Sequence, residues 1–155
     1  MPDNFDRLVA DVRRLEARAR VGALDEINAQ KLHWTEFGTK HGDEQHSEPR
    51  PTMSAAFDRN ERAMQRAVDR RIAAVLDGTS EASGRRILSE VGEDFAEAVR
   101  EEIGNNVPPV LADSTLAARE RKGQGDRTLM ATGDMQKSIR VESKGDAKPW
   151  PDDDG

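Results

Sequence analysis

The sequence predicts an α+β protein, and three observations lead there. Residues 52–77 and 79–104 repeat apolar side chains at helical spacing for far longer than a strand lasts. Residues 138–143 alternate Ile139 and Val141 against Arg140, Glu142 and Ser143, the two-residue period of a half-buried strand. Composition is the third. In 155 residues, charged side chains make up 35% and aromatic ones 4%, with a mean hydropathy of −0.84, so any core is aliphatic and modest. The length suggests one domain, and so thin a core is expected to be completed by neighbouring copies of the chain.

Residues 3–20 read as an amphipathic helix, with Phe5, Leu8, Val12 and Leu15 on one stripe and Val9 beside it. Arginines and acids cover its other faces, which is simplest as a solvated surface. The stripe still has to pack, on its own domain or on a neighbouring subunit. Residues 20–27 read as a strand, because Gly22 is a poor helix interior. Asn28 is placed to cap a short helix through Ala29, Leu32, His33 and Glu36, which Phe37 and a left-handed Gly38 close. Thr39 to Pro51 reads as a polar loop, and Pro49 and Pro51 keep the backbone extended around Arg50.

The helix over 52–77 turns Phe57, Met64, Val68, Ile72 and Val75 inward and stops at Gly78. Arg59, Arg62, Arg66, Arg70 and Arg71 make its outer surface basic. The next helix starts at Thr79 or Ser80 and ends near Gly104, with Leu88, Val91, Phe95, Val99 and Ile103 as its core face. Gly84, Leu88 and Gly92 fall on one line of that cylinder. Each interior glycine costs up to ~1 kcal/mol against alanine, so a close backbone approach is expected there. Asn105 to Pro109 ends the helix, Asp113 or Ser114 caps a short one over 115–121, and Lys122 to Asp126 is a polar turn. Thr132, Gly133 and Asp134 read as a cap for one polar helical turn that leads into the 138–143 strand. The chain therefore divides into a helix over 1–20, an α+β body over 21–143, and a flexible acidic tail over 144–155 with Asp152 to Asp154 near its end.

Catalytic chemistry finds little to stand on. Cysteine is absent, which removes disulfides, thiolate nucleophiles and cysteine-based zinc sites together and fits a reducing compartment. His33, His41 and His46 lie among Asp43, Glu44 and Glu48, but at spacings of no recognised ligand pattern, so no metal and no cofactor is expected. The carboxylates from Glu90 to Glu102 lie on the polar side of a helix, where charge is hydrated, rather than paired in a cleft. Ser114 and Ser138 have no base nearby, and Gly123 and Gly125 lack the Gly-Lys-Ser/Thr ending of a phosphate loop. No run is apolar enough to cross a bilayer, and no secretory leader is expected. A net charge of −6 argues against a general nucleic-acid binder. The arginine face of the 52–77 helix is the best nucleic-acid candidate, although Asp58, Glu61 and Asp69 dilute it and no aromatics interleave.

Four segments in order carry a resemblance: Thr35-Glu-Phe-Gly-Thr39, Pro49-Arg-Pro-Thr52, Pro108-Pro-Val-Leu111 with Ser114-Thr115, and Leu129 to Ile139 (Leu-Met-Ala-Thr-Gly-Asp-Met-Gln-Lys-Ser-Ile). Together they resemble the small neck or tail-completion proteins of long-tailed phages and gene transfer agents. The Mu-like virion-morphogenesis proteins and lambda minor tail protein Z belong with that group. The likeness covers about residues 20–143, and the chain departs from it with Ala131 in place of the usual Asp and with Met130 and Met135 in place of branched aliphatics.

The resemblance implies amphipathic helices packed on a small antiparallel sheet, in a structural, non-catalytic subunit of the virion made in the host bacterial cytoplasm. It implies a homo-oligomeric ring, a hexamer by family likeness, at the head–tail junction between connector and tail proteins. Tail terminator and portal adaptor are the neighbouring roles, and genomic DNA would pass through the lumen without sequence-specific binding. A ring repeats one heterologous contact, so each copy needs two different matching patches. The first is assigned to Glu36, Phe37, Gly38, Pro49, Arg50 and Pro51, and the second to Thr132, Gly133, Met135, Ser138 and Ile139, since tight turns lose little entropy on binding. Two other classes stay open: a small DNA-binding protein using the arginine face, and a metal-dependent hydrolase using the loop histidines.

Overall fold

A computed structural model describes residues 3–105, 109, 111–124 and 133–151. The architecture is α+β: among these residues there are six helices and two small two-stranded sheets. The order is α1 (Asn4–Leu15), β1 (Arg18–Ala23), α2 (Glu26–Phe37), β2 (Thr39–His41), β3 (Glu44–Ser47), α3 (Met53–Leu76), α4 (Gly84–Gly104), α5 (Asp113–Arg121), α6 (Asp134–Ser138) and β4 (Ile139–Lys144). β1 pairs with β4, and β2 pairs with β3 in antiparallel register, Lys40 opposite Gln45 and His41 opposite Glu44.

Several predicted boundaries move, each for a local reason. The first helix stops at Leu15 rather than residue 20, and the strand begins at Arg18 rather than Arg20. Asp3 caps α1 by accepting from the Asp6 N–H at 2.7 Å. The cap of α2 is Asp25 rather than Asn28, and its carboxylate takes both the Asn28 N–H and the Asn28 side-chain amide. Gly38 ends α2 at φ 71°, in the left-handed region where glycine has no Cβ penalty. The predicted 39–51 loop contains a hairpin whose tight connection is Gly42-Asp43. α4 begins at Gly84 rather than Thr79 or Ser80, and Ser83 Oγ accepts from the Arg86 N–H. α5 begins at Asp113 with Ala112 at the cap position and no side-chain cap bond. Residues 145–151 are tied back: Lys144 Nζ donates to the Pro149 carbonyl, and the Trp150 ring lies 4.3 Å from the Arg20 guanidinium and 4.6 Å from Lys144 Nζ.

The chain separates into two compact units. Unit 1 comprises residues 1–21, 61–94 and 141–155, and buries Val75, Ile87 and Val91. The expected close approach along the glycine line is present there. A Cβ on Gly84 would collide with the Leu15 carbonyl, and one on Gly92 would sit 2.8 Å from Val141 Cγ1. Arg20 Nε donates to Glu142 at 2.9 Å.

Unit 2 comprises residues 22–60 and 95–140. Its buried residues include Leu32, Ala56, Ala96, Val99, Ile103, Met135 and Ile139, and Phe57 meets Phe95 edge-on at 6.1 Å.

Candidate interaction surfaces

The predicted site residues fall within unit 2, and the fold uses most of them internally. Glu36 is buried near the end of α2 and turns its carboxylate onto the start of α3. It accepts the N–H groups of Thr52 at 2.8 Å, Met53 at 3.1 Å and Ser54 at 2.9 Å, and also the Ser54 hydroxyl. Those are orphan donors of a helix N-terminus, where a negative charge is also favoured by the helix dipole. Burial alone would raise the Glu36 pKa, but the bonds from Ser54, Thr52 and Met53 outweigh it and hold it below its ordinary value. Glu36, assigned from the sequence to an interface patch, serves within the fold as a helix cap supplied from a distance.

Arg50 is also engaged within the fold. Its backbone N–H donates to the Thr35 carbonyl at 2.6 Å and its Nε to the Pro109 carbonyl at 3.0 Å. Pro49 and Pro51 beside it are exposed. The Gly133–Ile139 stretch braces the same unit. Gln136 Nε2 donates to the Arg100 carbonyl at 2.7 Å, Arg100 Nη2 donates to the Ile139 carbonyl at 2.8 Å, and Ser138 Oγ donates to the Met135 carbonyl. Gly133, Met135 and Ile139 are buried and Ser138 is half-buried; Thr132 lies outside the described residues. Thr35 Oγ1 lies 3.8 Å from Met135 Sδ where α2 meets α6, so segments of the two predicted patches touch within unit 2. Apolar side chains at 135 and 139 within a turn were the signal that this stretch belongs to the core.

What the molecule does expose is a different set of apolar residues. On α2, Leu32 and Glu36 face inward, while Ile27, Trp34 and Phe37 lie on the opposite side of the cylinder, 68%, 46% and 66% exposed. The helix thus shows a wet apolar stripe where a surface helix normally carries charge. His33 stands beside it, its ring 4.9 Å from that of Phe37. On α1, in unit 1, Phe5, Leu8 and Val12 are likewise exposed, and no residue of the helix is buried. Only Phe37 of the two stripes was among the predicted contact residues. Ile27 escaped because a helix begun at Asn28 excludes it, and without it Trp34 and Phe37 do not read as a stripe.

No family model matches this chain, and no curated protein or solved structure matches it either.

The basic face of α3 is partly neutralised. Arg59 pairs with Glu102 in unit 2, and Arg71 lies 3.5 Å from Glu90 in unit 1. Among the described residues there is no cluster of three or more His, Asp or Glu side chains suited to hold a metal. Among the described residues no helix is long and apolar enough to cross a membrane. Chemically, the exposed stripes of α1 and α2 are suited to apolar association.

Proposed function

We propose that this chain is a structural subunit of a tailed-phage or gene-transfer-agent particle, forming a ring at the head–tail junction that completes the tail and joins it to the head. The observation that carries the reading is the pair of unpartnered apolar stripes, Phe5, Leu8 and Val12 on α1 and Ile27, Trp34 and Phe37 on α2. Rows of large exposed apolar side chains mark association surfaces. A ring needs two different surfaces on every copy, and two are present. In this reading α1 of one copy covers α2 of the next. The ordered resemblance of residues 35–39, 49–52, 108–115 and 129–139 to neck and tail-completion proteins supplies the place in the particle. The exact level, whether completion, terminator or adaptor, belongs to the same proposal, as does passage of DNA through the lumen.

Sedimentation of the purified chain tests the contact. The wild type is expected to associate as its concentration rises, whereas Leu8→Glu and Trp34→Glu each stay monomeric with an unchanged circular dichroism spectrum. Mixed together, the two variants retain one intact α1 face and one intact α2 face, and are expected to form a dimer but nothing larger. Variants that associate as the wild type does, or a wild type monomeric at every concentration, would contradict self-driven ring formation.

A further inference from the structure

Apart from the apolar stripes, unit 1 holds an open polar cleft of about 530 Å³ between the end of α3, the turn over 77–83 and the beginning of α4. Arg70, Arg71, Ser80, Glu81, Arg86 and Glu90 line it. Glu90 organises the basic groups: it accepts from Arg86 Nε at 2.9 Å and lies 3.5 Å from Arg71 Nε. Both contacts use the inner guanidine nitrogen; the terminal nitrogens of Arg86 make no hydrogen bond or ion pair with another described residue, while Arg71 Nη1 lies 3.5 Å from the Ala67 carbonyl. The hydrogen bond from Arg86 keeps the Glu90 carboxyl below its ordinary pKa against opposing desolvation, with the charges of Arg86 and Arg71 acting in the same direction as the bond, so this clamp stays charged at neutral pH. Ser80 Oγ accepts from the Ala82 N–H and keeps its own proton to donate.

The Arg70 side chain makes no hydrogen bond or ion pair with any described residue, and neither does that of Arg66 or Arg62. These three stand four residues apart on α3, one ridge of the helix leading into the cleft. Three guanidinium groups face two carboxylates in the cleft itself, which leaves one net positive charge. A repeated row of unpaired guanidinium groups suits a polymer with repeated negative charge better than it suits a single small anion. Guanidinium forks match phosphate oxygens, and no aromatic side chain lines the cleft for a base to stack on.

We propose that the Arg62–Arg66–Arg70 ridge and the Arg71–Arg86 cleft form a contact site for the phosphate backbone of nucleic acid, independent of base sequence. The chain's net charge of −6, with Asp58, Glu61 and Asp69 near the ridge, makes this a weak local contact rather than a strong grip. The inference goes beyond the ring reading and stands apart from it, because an isolated monomer displays the whole site.

Fluorescence anisotropy of a labelled duplex of about 20 base pairs, measured from about 20 to 150 mM salt, tests it. The expected slope of log affinity against log salt is about −2 to −3, as for two or three neutralised phosphates. Arg70→Glu is expected to weaken binding about tenfold or more, while Arg85→Glu, the same charge change on α4 outside the cleft, weakens it no more than about twofold. Equal losses in the two variants would overturn the site in favour of diffuse attraction. Absence of duplex binding at the lowest salt would overturn it too. Inorganic phosphate that perturbs the Arg70 and Arg86 side-chain resonances while duplex does not would replace the backbone assignment with a small-anion site.

Discussion

At the scale of single residues, Glu36 joins local chemistry to stability. Its carboxylate accepts from N–H donors at the start of α3 that have no acceptor within the helix. Because the folded pKa lies below the ordinary 4.5, this stabilisation is full above about pH 4.5 and is lost as pH falls through the lower folded value. Replacing Glu36 by Gln should cost about 2 kcal/mol at neutral pH, the scale of buried donors left poorly satisfied, and should flatten the acid limb of the stability curve. Urea titrations at neutral and acid pH read both effects; an unchanged acid limb would remove Glu36 from the account. Trp150 offers a second case, held between Arg20 and Lys144 at about 0.5–1 kcal/mol for each cation–π contact. Trp34 is about half exposed while Trp150 is half-buried with its ring nitrogen out of solvent, so acrylamide should quench two distinct populations, and Trp150→Ala should remove the slow one. A single quenching class in the wild type would argue against the shielded placement.

At the scale of elements, two glycines show why α4 sits where it does in unit 1. Alanine at Gly84 gains helix propensity of up to ~1 kcal/mol but drives a methyl into the Leu15 carbonyl, and backbone yields less readily than a side chain. Thermal melts of Gly84→Ala should show a net loss of about 1–3 kcal/mol, against little change for Gly145→Ala, where nothing lies within reach. Equal melting temperatures would mean that α4 does not approach α1 closely. That approach was legible in the sequence because Gly84 and Gly92 interrupt an otherwise strong helical pattern. α3 and α4 were themselves legible because each carries five apolar residues at helical spacing. The β2–β3 hairpin was not, because no apolar residue in 39–47 marks its faces and only Gly42-Asp43 marks its turn. The start of α2 was misplaced because Asp25 and Asn28 are equally good caps by type, and their own hydrogen bond decides which one serves. The contact residues were the least legible. Side-chain chemistry at 36, 135 and 139 fits a rim or an interior equally well, and only the three-dimensional packing separates the two.

At the scale of the whole molecule, large apolar side chains are left wet. Charged residues make up 35% of the chain, yet Phe5, Ile27 and Phe37 are each about two-thirds exposed, which places the apolar surface where it can meet another copy. High salt should weaken the arginine contact of unit 1 with nucleic acid while leaving apolar self-association intact, since screening acts on charge and not on buried hydrocarbon. Sedimentation and anisotropy run across one salt series separate the two, and parallel losses in both would mean that self-association is electrostatic instead. The claim that orders everything else is placement in a particle. Mass spectrometry of purified particles followed by cryo-microscopy of the neck tests it most directly. The account predicts a closed ring of this chain between head and tail, with Phe5, Leu8 and Val12 of one copy against Ile27, Trp34 and Phe37 of the next. Particles that assemble fully, infect or transfer DNA, and contain none of this chain would contradict it.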